Sequence, residues 1–150
     1  MLASMIFLIG AALSLATGSS WGTFALLIPI VVPIAAALGA PIPICLGAAL
    51  SGGLFGDQTS PISDTTVLSS MSSGVNHMAH VETQFPYALL TGAVAFAGFI
   101  FASLSITSLP VFVPVVVALI GLGFVYYLLS KTASHSFVDS EKPQQLGELS

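Results

Sequence analysis

The sequence predicts an all-α membrane protein of about five membrane segments, among them a re-entrant hairpin and a discontinuous helix. Three observations predict it. The first 130 residues contain no Lys or Arg, and their only carboxylates are Asp57, Asp64 and Glu82. Hydrophobic residues make up 55% of the chain and charged residues 5%, with a mean hydropathy of +1.03. A soluble domain carries about 25% charged residues to wet its surface. Apolar runs recur between short breaks rich in Gly, Pro and hydroxyls, a pattern suited to lipid rather than water.

The net charge of −4 describes a tail more than a body, because Asp139, Glu141 and Glu148 supply half of the six acids. No basic patch exists, which excludes a nucleic-acid binder. The single cysteine, Cys45, lies in an apolar stretch. It can form neither an internal disulfide nor a cysteine-based metal site, and reads as a buried structural thiol. Met1–Ala16 is apolar and ends in small residues, but it lacks the positive start of a secretory signal and reads as a membrane helix.

The segments follow in order. Leu2–Ala16 is apolar and breaks at Thr17-Gly18-Ser19-Ser20; Trp21-Gly22-Thr23 leads into a second apolar run from Phe24 to Leu38. Pro29 and Pro33 interrupt that run, as membrane helices tolerate when neighbours re-satisfy the backbone. The two arms are two full spans or a re-entrant hairpin; the short first arm and uncharged tip favour the hairpin. Gly39–Pro43 makes a turn, and Ile44–Phe55 is too short to span alone. Its small residues suit close helix packing.

Next comes Gly56-Asp57-Gln58-Thr59-Ser60-Pro61-Ile62-Ser63-Asp64-Thr65-Thr66, polar and with a helix breaker inside. A second helical half is expected over 61–73, with Ser60 as N-cap and Pro61 at the first helical position. Two short halves around a polar break describe a discontinuous membrane helix. Gly74–Gln84 reads as a polar connector and Phe85–Ser105 as an uninterrupted span. Leu109–Leu129 is the last span, followed by Lys131; aromatic residues and a lysine there hint at a cytoplasmic exit. The expected organisation is a transmembrane domain over 1–130 and a polar, disordered tail over 131–150.

Three groups of residues could carry chemistry. An ionised carboxylate deep in a membrane costs about 2.5–3.5 kcal/mol on insertion scales, so an intramembrane Asp is a functional hypothesis by default. Asp57 and Asp64 are expected to flank an unwound segment, with Gln58, Thr59, Ser60, Ser63, Thr65 and Thr66 around them. Hard cations such as Na⁺ take oxygen ligands of these kinds. A carboxylate over which Na⁺ and H⁺ compete supplies exchange chemistry directly. The bland alternative is that the two aspartates cap helix ends at a wet interface. The hairpin tip, with Thr17, Ser19, Ser20 and Thr23, either adds ligands or is an ordinary interfacial turn with Trp21 in the aromatic belt. His77, His80 and Glu82 could hold a metal or handle a proton, but in a connector they read first as a solvated loop.

Two enzyme readings fail. Phe55-Gly56-Asp57 matches part of the Gly-x-Gly-Asp motif of intramembrane aspartyl proteases, but Leu54 stands at the first Gly and the partner Tyr-Asp pair is absent. Serine-histidine-aspartate catalysis has no spacing signal here.

Thr17–Thr23, the run Gly56-Asp57-Gln58-Thr59-Ser60-Pro61-Ile62-Ser63-Asp64-Thr65-Thr66 and the stretch Asn76–Gln84 together resemble the NhaC-type Na⁺/H⁺ antiporter family. The likeness extends to about Ser105. It implies a polytopic inner-membrane protein built on inverted repeats, each with a re-entrant hairpin and a discontinuous helix. The chain then corresponds to the C-terminal half, with Thr17–Thr23 at the hairpin tip and Gly56–Thr65 at the helix break. Many relatives carry His where this chain has Gln58. The implied activity is Na⁺/H⁺ exchange without any cofactor beyond the transported ions. Asp57, Asp64, Ser60, Ser63, Thr65, Thr17, Ser19, Ser20 and Thr23 would be ligands, and His77 and His80 candidates for proton handling. The alternatives are a Na⁺-coupled carrier of organic acids or amino acids, and a truncated chain that does not transport. Na⁺, H⁺, the lipid bilayer, and a first repeat or second copy of the chain are the expected partners.

Overall fold

The computed structural model describes residues 1–105 and, farther along, positions 116, 119–124, 126, 127 and 130. Over residues 1–105 there are five helices: α1 (Leu2–Thr17), α2 (Ser20–Ala37), α3 (Ile42–Thr59), α4 (Asp64–Ser72) and α5 (His77–Ser105). Most of the expected last span and all of the expected tail lie outside the described residues. Those positions that are described between 116 and 130 are helical.

α1 and α2 form a hairpin with a joint of two residues. Gly18 takes the left-handed conformation, φ 65°, and its N–H donates to the Ser14 carbonyl at 2.8 Å, which closes α1. Ser19 starts α2 as N-cap, its Oγ accepting from the Gly22 N–H at 3.2 Å. The tip is therefore tighter than expected, because this cap draws Ser20, Trp21, Gly22 and Thr23 into the helix. α2 stays helical through Pro29 and Pro33, both on its exposed side. α2 and α5 are long and apolar enough to cross a membrane, over Ser20–Ala37 and His77–Leu104. α1, with 16 residues, is about 24 Å long, short of a hydrocarbon core of about 30 Å.

α3 is longer than the dozen residues expected. It runs through Gly56-Asp57-Gln58-Thr59, so Asp57 sits inside its last turn. The breaker is Pro61, which acts one residue earlier by forcing Ser60 out of the helical region, to φ −76° and ψ 128°. Nor does the second half restart at Pro61 with Ser60 as cap. α4 begins at Asp64, with Ser63 at the N-cap position and its hydroxyl turned elsewhere. The break is thus four residues, Ser60–Ser63.

Glycine lets α3 cross α1 at backbone distance. A methyl group on Gly52 would run into the Phe7 carbonyl oxygen, and one on Gly56 into the Ala11 carbonyl oxygen, with Leu15 N at 2.7 Å and Ser14 Cβ at 2.8 Å. Small residues serve this purpose where lipid removes the hydrophobic drive between helices. The apolar core lies at the other end of the same crossing, with Ile6, Phe7, Leu27, Val31, Cys45 and Ala48 buried together. The Phe7 ring meets Phe55, Phe99 and Phe96 with centroids 5.9, 5.6 and 6.3 Å away. Cys45 is buried and free, as its surroundings predict.

The expected connector is mostly helix. Asn76 Oδ1 accepts from the N–H groups of Met78 and Ala79 at 3.0 and 3.2 Å, an N-terminal cap that starts α5 at His77. Only Ser73–Asn76 remain between helices, with Gly74 at φ 66°.

Candidate ion site at the helix break

The hairpin tip rests on the break. Gly18 has no room for a side chain, since a methyl there would lie 2.9 Å from the Ile62 carbonyl carbon and oxygen. Ser60, wholly buried, donates its hydroxyl to the Leu15 carbonyl at 2.8 Å and so ties the break to the last turn of α1. On the far side, Gln84 of α5 donates its amide to the Gln58 carbonyl at 2.8 Å. The Ser60 hydroxyl also accepts from the Ile62 N–H at 3.4 Å.

Three oxygens line up across the break. Ser63 Oγ donates to Asp57 Oδ1 at 2.7 Å, and Thr65 Oγ1 stands 2.8 Å from Ser63 Oγ. Ser63 has one hydroxyl proton and gives it to Asp57, so the Thr65 hydroxyl is the donor in the outer bond. Asp57 is 7% exposed and Ser63 is buried, whereas Thr65 is exposed. The relay therefore leads from the protein surface to a buried carboxylate. A hydrogen bond to a charged acceptor contributes about 1.5–3 kcal/mol. A carboxylate offers about four lone-pair sites, which leaves Asp57 capacity for a proton or a cation.

The other expected ligands are placed unequally. Asp64 is exposed at the head of α4, and its Oδ1 accepts from the Thr65 N–H at 2.8 Å. The two aspartates do flank the unwound segment, but only Asp57 faces the protein interior. Thr17 is exposed and donates to the Leu13 carbonyl, and Thr23 is buried and donates to the Ser19 carbonyl, both at 2.9 Å. Ser19 is engaged as a cap, and Ser20 is buried. Trp21, 82% exposed, packs edge-on against Phe24. His77 and His80 lie on the first turn of α5 and reach α4 or the break, while Glu82 is exposed. No group of three metal-ligating side chains occurs among the described residues.

Two polar groups here escaped the sequence reading. Ser14 Oγ is fully buried beside Gly56 and has no hydrogen-bond partner among the described residues. Its position at i−4 from Gly18, one turn before the tip, was the available signal. Ser70, buried on α4, donates to the Thr66 carbonyl at 2.8 Å; nothing in the sequence separates it from its serine neighbours.

Residues 1–104 match the profile of the Na⁺/H⁺ antiporter family. A protein of Haemophilus influenzae without an assigned function is 39% identical over 117 residues, 77% of this chain and 22% of that protein. A malate-2H⁺/Na⁺-lactate antiporter of Bacillus subtilis is 49% identical over 70 residues, 47% of this chain and 15% of that protein. An arginine/ornithine antiporter of Halobacterium salinarum is 44% identical over 82 residues, 55% of this chain and 17% of that protein. The chain thus spans less than a quarter of the length of these relatives. No solved structure matches it.

Proposed function

The chain belongs to the Na⁺/H⁺ antiporter family, and from that premise we propose that it forms the ion-binding part of a secondary transporter exchanging Na⁺ for H⁺. The buried Asp57, held by Ser63 across the break, carries this reading. Na⁺ and H⁺ compete for the one carboxylate, and whichever is bound is what the protein carries. Ser63, Thr65, Ser60 and Asp64 contribute from the break. Thr17, Ser19, Ser20 and Thr23 contribute from the tip, several of them by exchanging a present backbone partner for the ion. In this proposal α1–α2 is the re-entrant hairpin and α3–break–α4 the discontinuous helix of one inverted repeat. The protein is multi-pass in the cell's inner membrane, and a first repeat or a second copy of the chain completes the path. No cofactor takes part.

The absence of Lys and Arg from residues 1–130 favours cations as cargo, since an anion needs a cationic or helix-N-terminal clamp. A second reading, a Na⁺-coupled carrier of organic acids or amino acids, is favoured by the names of the Bacillus and Halobacterium relatives. Proteoliposomes separate the two. Na⁺-driven dissipation of a pH gradient by the chain, lost in Asp57→Asn, supports ion exchange. Dissipation that requires malate, lactate or an amino acid supports the carrier, and no transport under any condition supports a chain inactive alone.

A further inference from the structure

His77 is placed as a strap on the break. Its Nε2 lies 2.7 Å from the Pro61 carbonyl oxygen, and its Nδ1 lies 3.1 Å from Ser70 Oγ. The Pro61 carbonyl can only accept, so Nε2 carries a proton. Ser70 has a single hydroxyl proton, and it is directed to the Thr66 carbonyl at 2.8 Å. With that proton committed, Nδ1 must also donate. All three bonds are satisfied together only by the imidazolium. In the neutral ring Nδ1 becomes an acceptor and faces the lone pairs of Ser70, unless Ser70 releases Thr66.

We propose that His77 is a positioning residue for the break, fastening the Pro61 carbonyl to α4 when the ring is doubly protonated and loosening it when the ring is neutral. Histidine is the side chain whose charge changes near physiological pH. Among the described residues, the surroundings offer few competing charges. α1 and α2 contain no ionisable side chain, and α3 contributes Asp57 and Cys45. α4 contributes Asp64, at the opposite end from Ser70. α5 itself contributes His80, whose Nε2 is 3.5 Å from Ser69 Oγ, the exposed Glu82 and Tyr87. The helix ends act in opposite senses. His77 opens α5, where the dipole disfavours a cation, and Ser70 sits in the last turn of α4, where it favours one. The consequence for transport rests on the break being the ion site, but the strap does not.

A nitroxide on Ile62→Cys, an exposed break residue, in a Cys45→Ala background reads the strap without any transport. The line shape is expected to be constrained at about pH 5.5 and mobile at about pH 8.5, on either side of the histidine range. His77→Gln removes this transition and His80→Gln keeps it. An unchanged line shape across pH, or a transition that survives His77→Gln, overturns the strap. Should His77→Gln misfold, ¹⁵N-histidine spectra of the unmutated chain decide: a His77 ring that changes protonation together with the line shape supports the strap, and a neutral ring throughout, or a change in ring protonation without one in line shape, overturns it. Na⁺ added to the spin-labelled chain tests the ion site separately. A pH transition without any response to Na⁺ leaves the strap standing and removes the site.

Discussion

Ser63 gives its hydroxyl proton to Asp57 across the helix break, at 2.7 Å and away from solvent. This bond and its burial set Asp57 apart from the exposed Asp64. Ser63 stands at the N-cap of α4, yet its side chain makes no capping bond. The hydroxyl is turned from its helix toward the buried carboxylate, and on the proposed function it helps hold the ion there. Asp57→Asn is expected to abolish Na⁺-driven pH-gradient dissipation, whereas the exposed Asp64→Asn leaves a reduced rate. The reverse ranking would move the ion to the outer face of α4.

Ser63→Ala tests the bond itself. Loss of a hydrogen bond to a charged group costs about 1.5–3 kcal/mol, and about 1.4 kcal/mol is tenfold in affinity. The apparent KM for Na⁺ is therefore expected to rise roughly tenfold or more, with the protein still folded. Ser63→Thr, which keeps the hydroxyl, should stay close to the unmutated chain. An Ala variant with unchanged KM would remove Ser63 from the site.

The α1–α3 crossing makes a prediction with opposite signs at two glycines of one helix. A methyl group at Gly56 meets the Ala11 backbone, and overpacking of this kind costs about 1–3 kcal/mol. Around Gly47 a methyl would find open space, so Ala there gains the helix preference of about 0.5–1 kcal/mol. Thermal unfolding in detergent should show Gly56→Ala below the unmutated chain and Gly47→Ala above it. Two variants that move together would mean that α3 does not cross α1 at Gly56.

Much of this arrangement was legible in the residues, for reasons that can be named. Pro61 among hydroxyls required a break, and the pairing of Gly18 with Ser19 required a turn. The boundaries were not legible, because they depend on bonds between distant residues. Ser60 has the side chain of a cap, but its hydroxyl donates to the Leu15 carbonyl, 45 residues away. The polar stretch from His77 looked like a connector because its composition hides a helix started by Asn76. That Asp57 is buried and Asp64 exposed could not be read from a spacing of seven, since the break between them unlocks the two faces.

Gly18→Ala tests whether the hairpin tip belongs to the site. The position has φ 65°, where a Cβ costs about 1–2 kcal/mol, and the Ile62 backbone leaves no room for it. The tip is expected to lift from the break, weakening Na⁺ binding as well as lowering thermal stability. Loss of stability with unchanged Na⁺ affinity would make the tip scaffolding alone.

Ser14→Ala asks what the orphaned hydroxyl is for. A buried hydroxyl without a partner costs about 1–3 kcal/mol relative to one that is paired. Ser14 has no partner among the described residues and sits against Gly56, one residue before Asp57. Replacing it with Ala should therefore raise the unfolding temperature in Na⁺-free buffer, since no bond is lost and an unpaired dipole is removed. Repeating the melt in Na⁺ gives the decisive comparison. If the gain persists, the hydroxyl is a local cost of the α1–α3 crossing. If the gain disappears or reverses only in Na⁺, Ser14 contacts the ion and joins Asp57 and Ser63 in holding it.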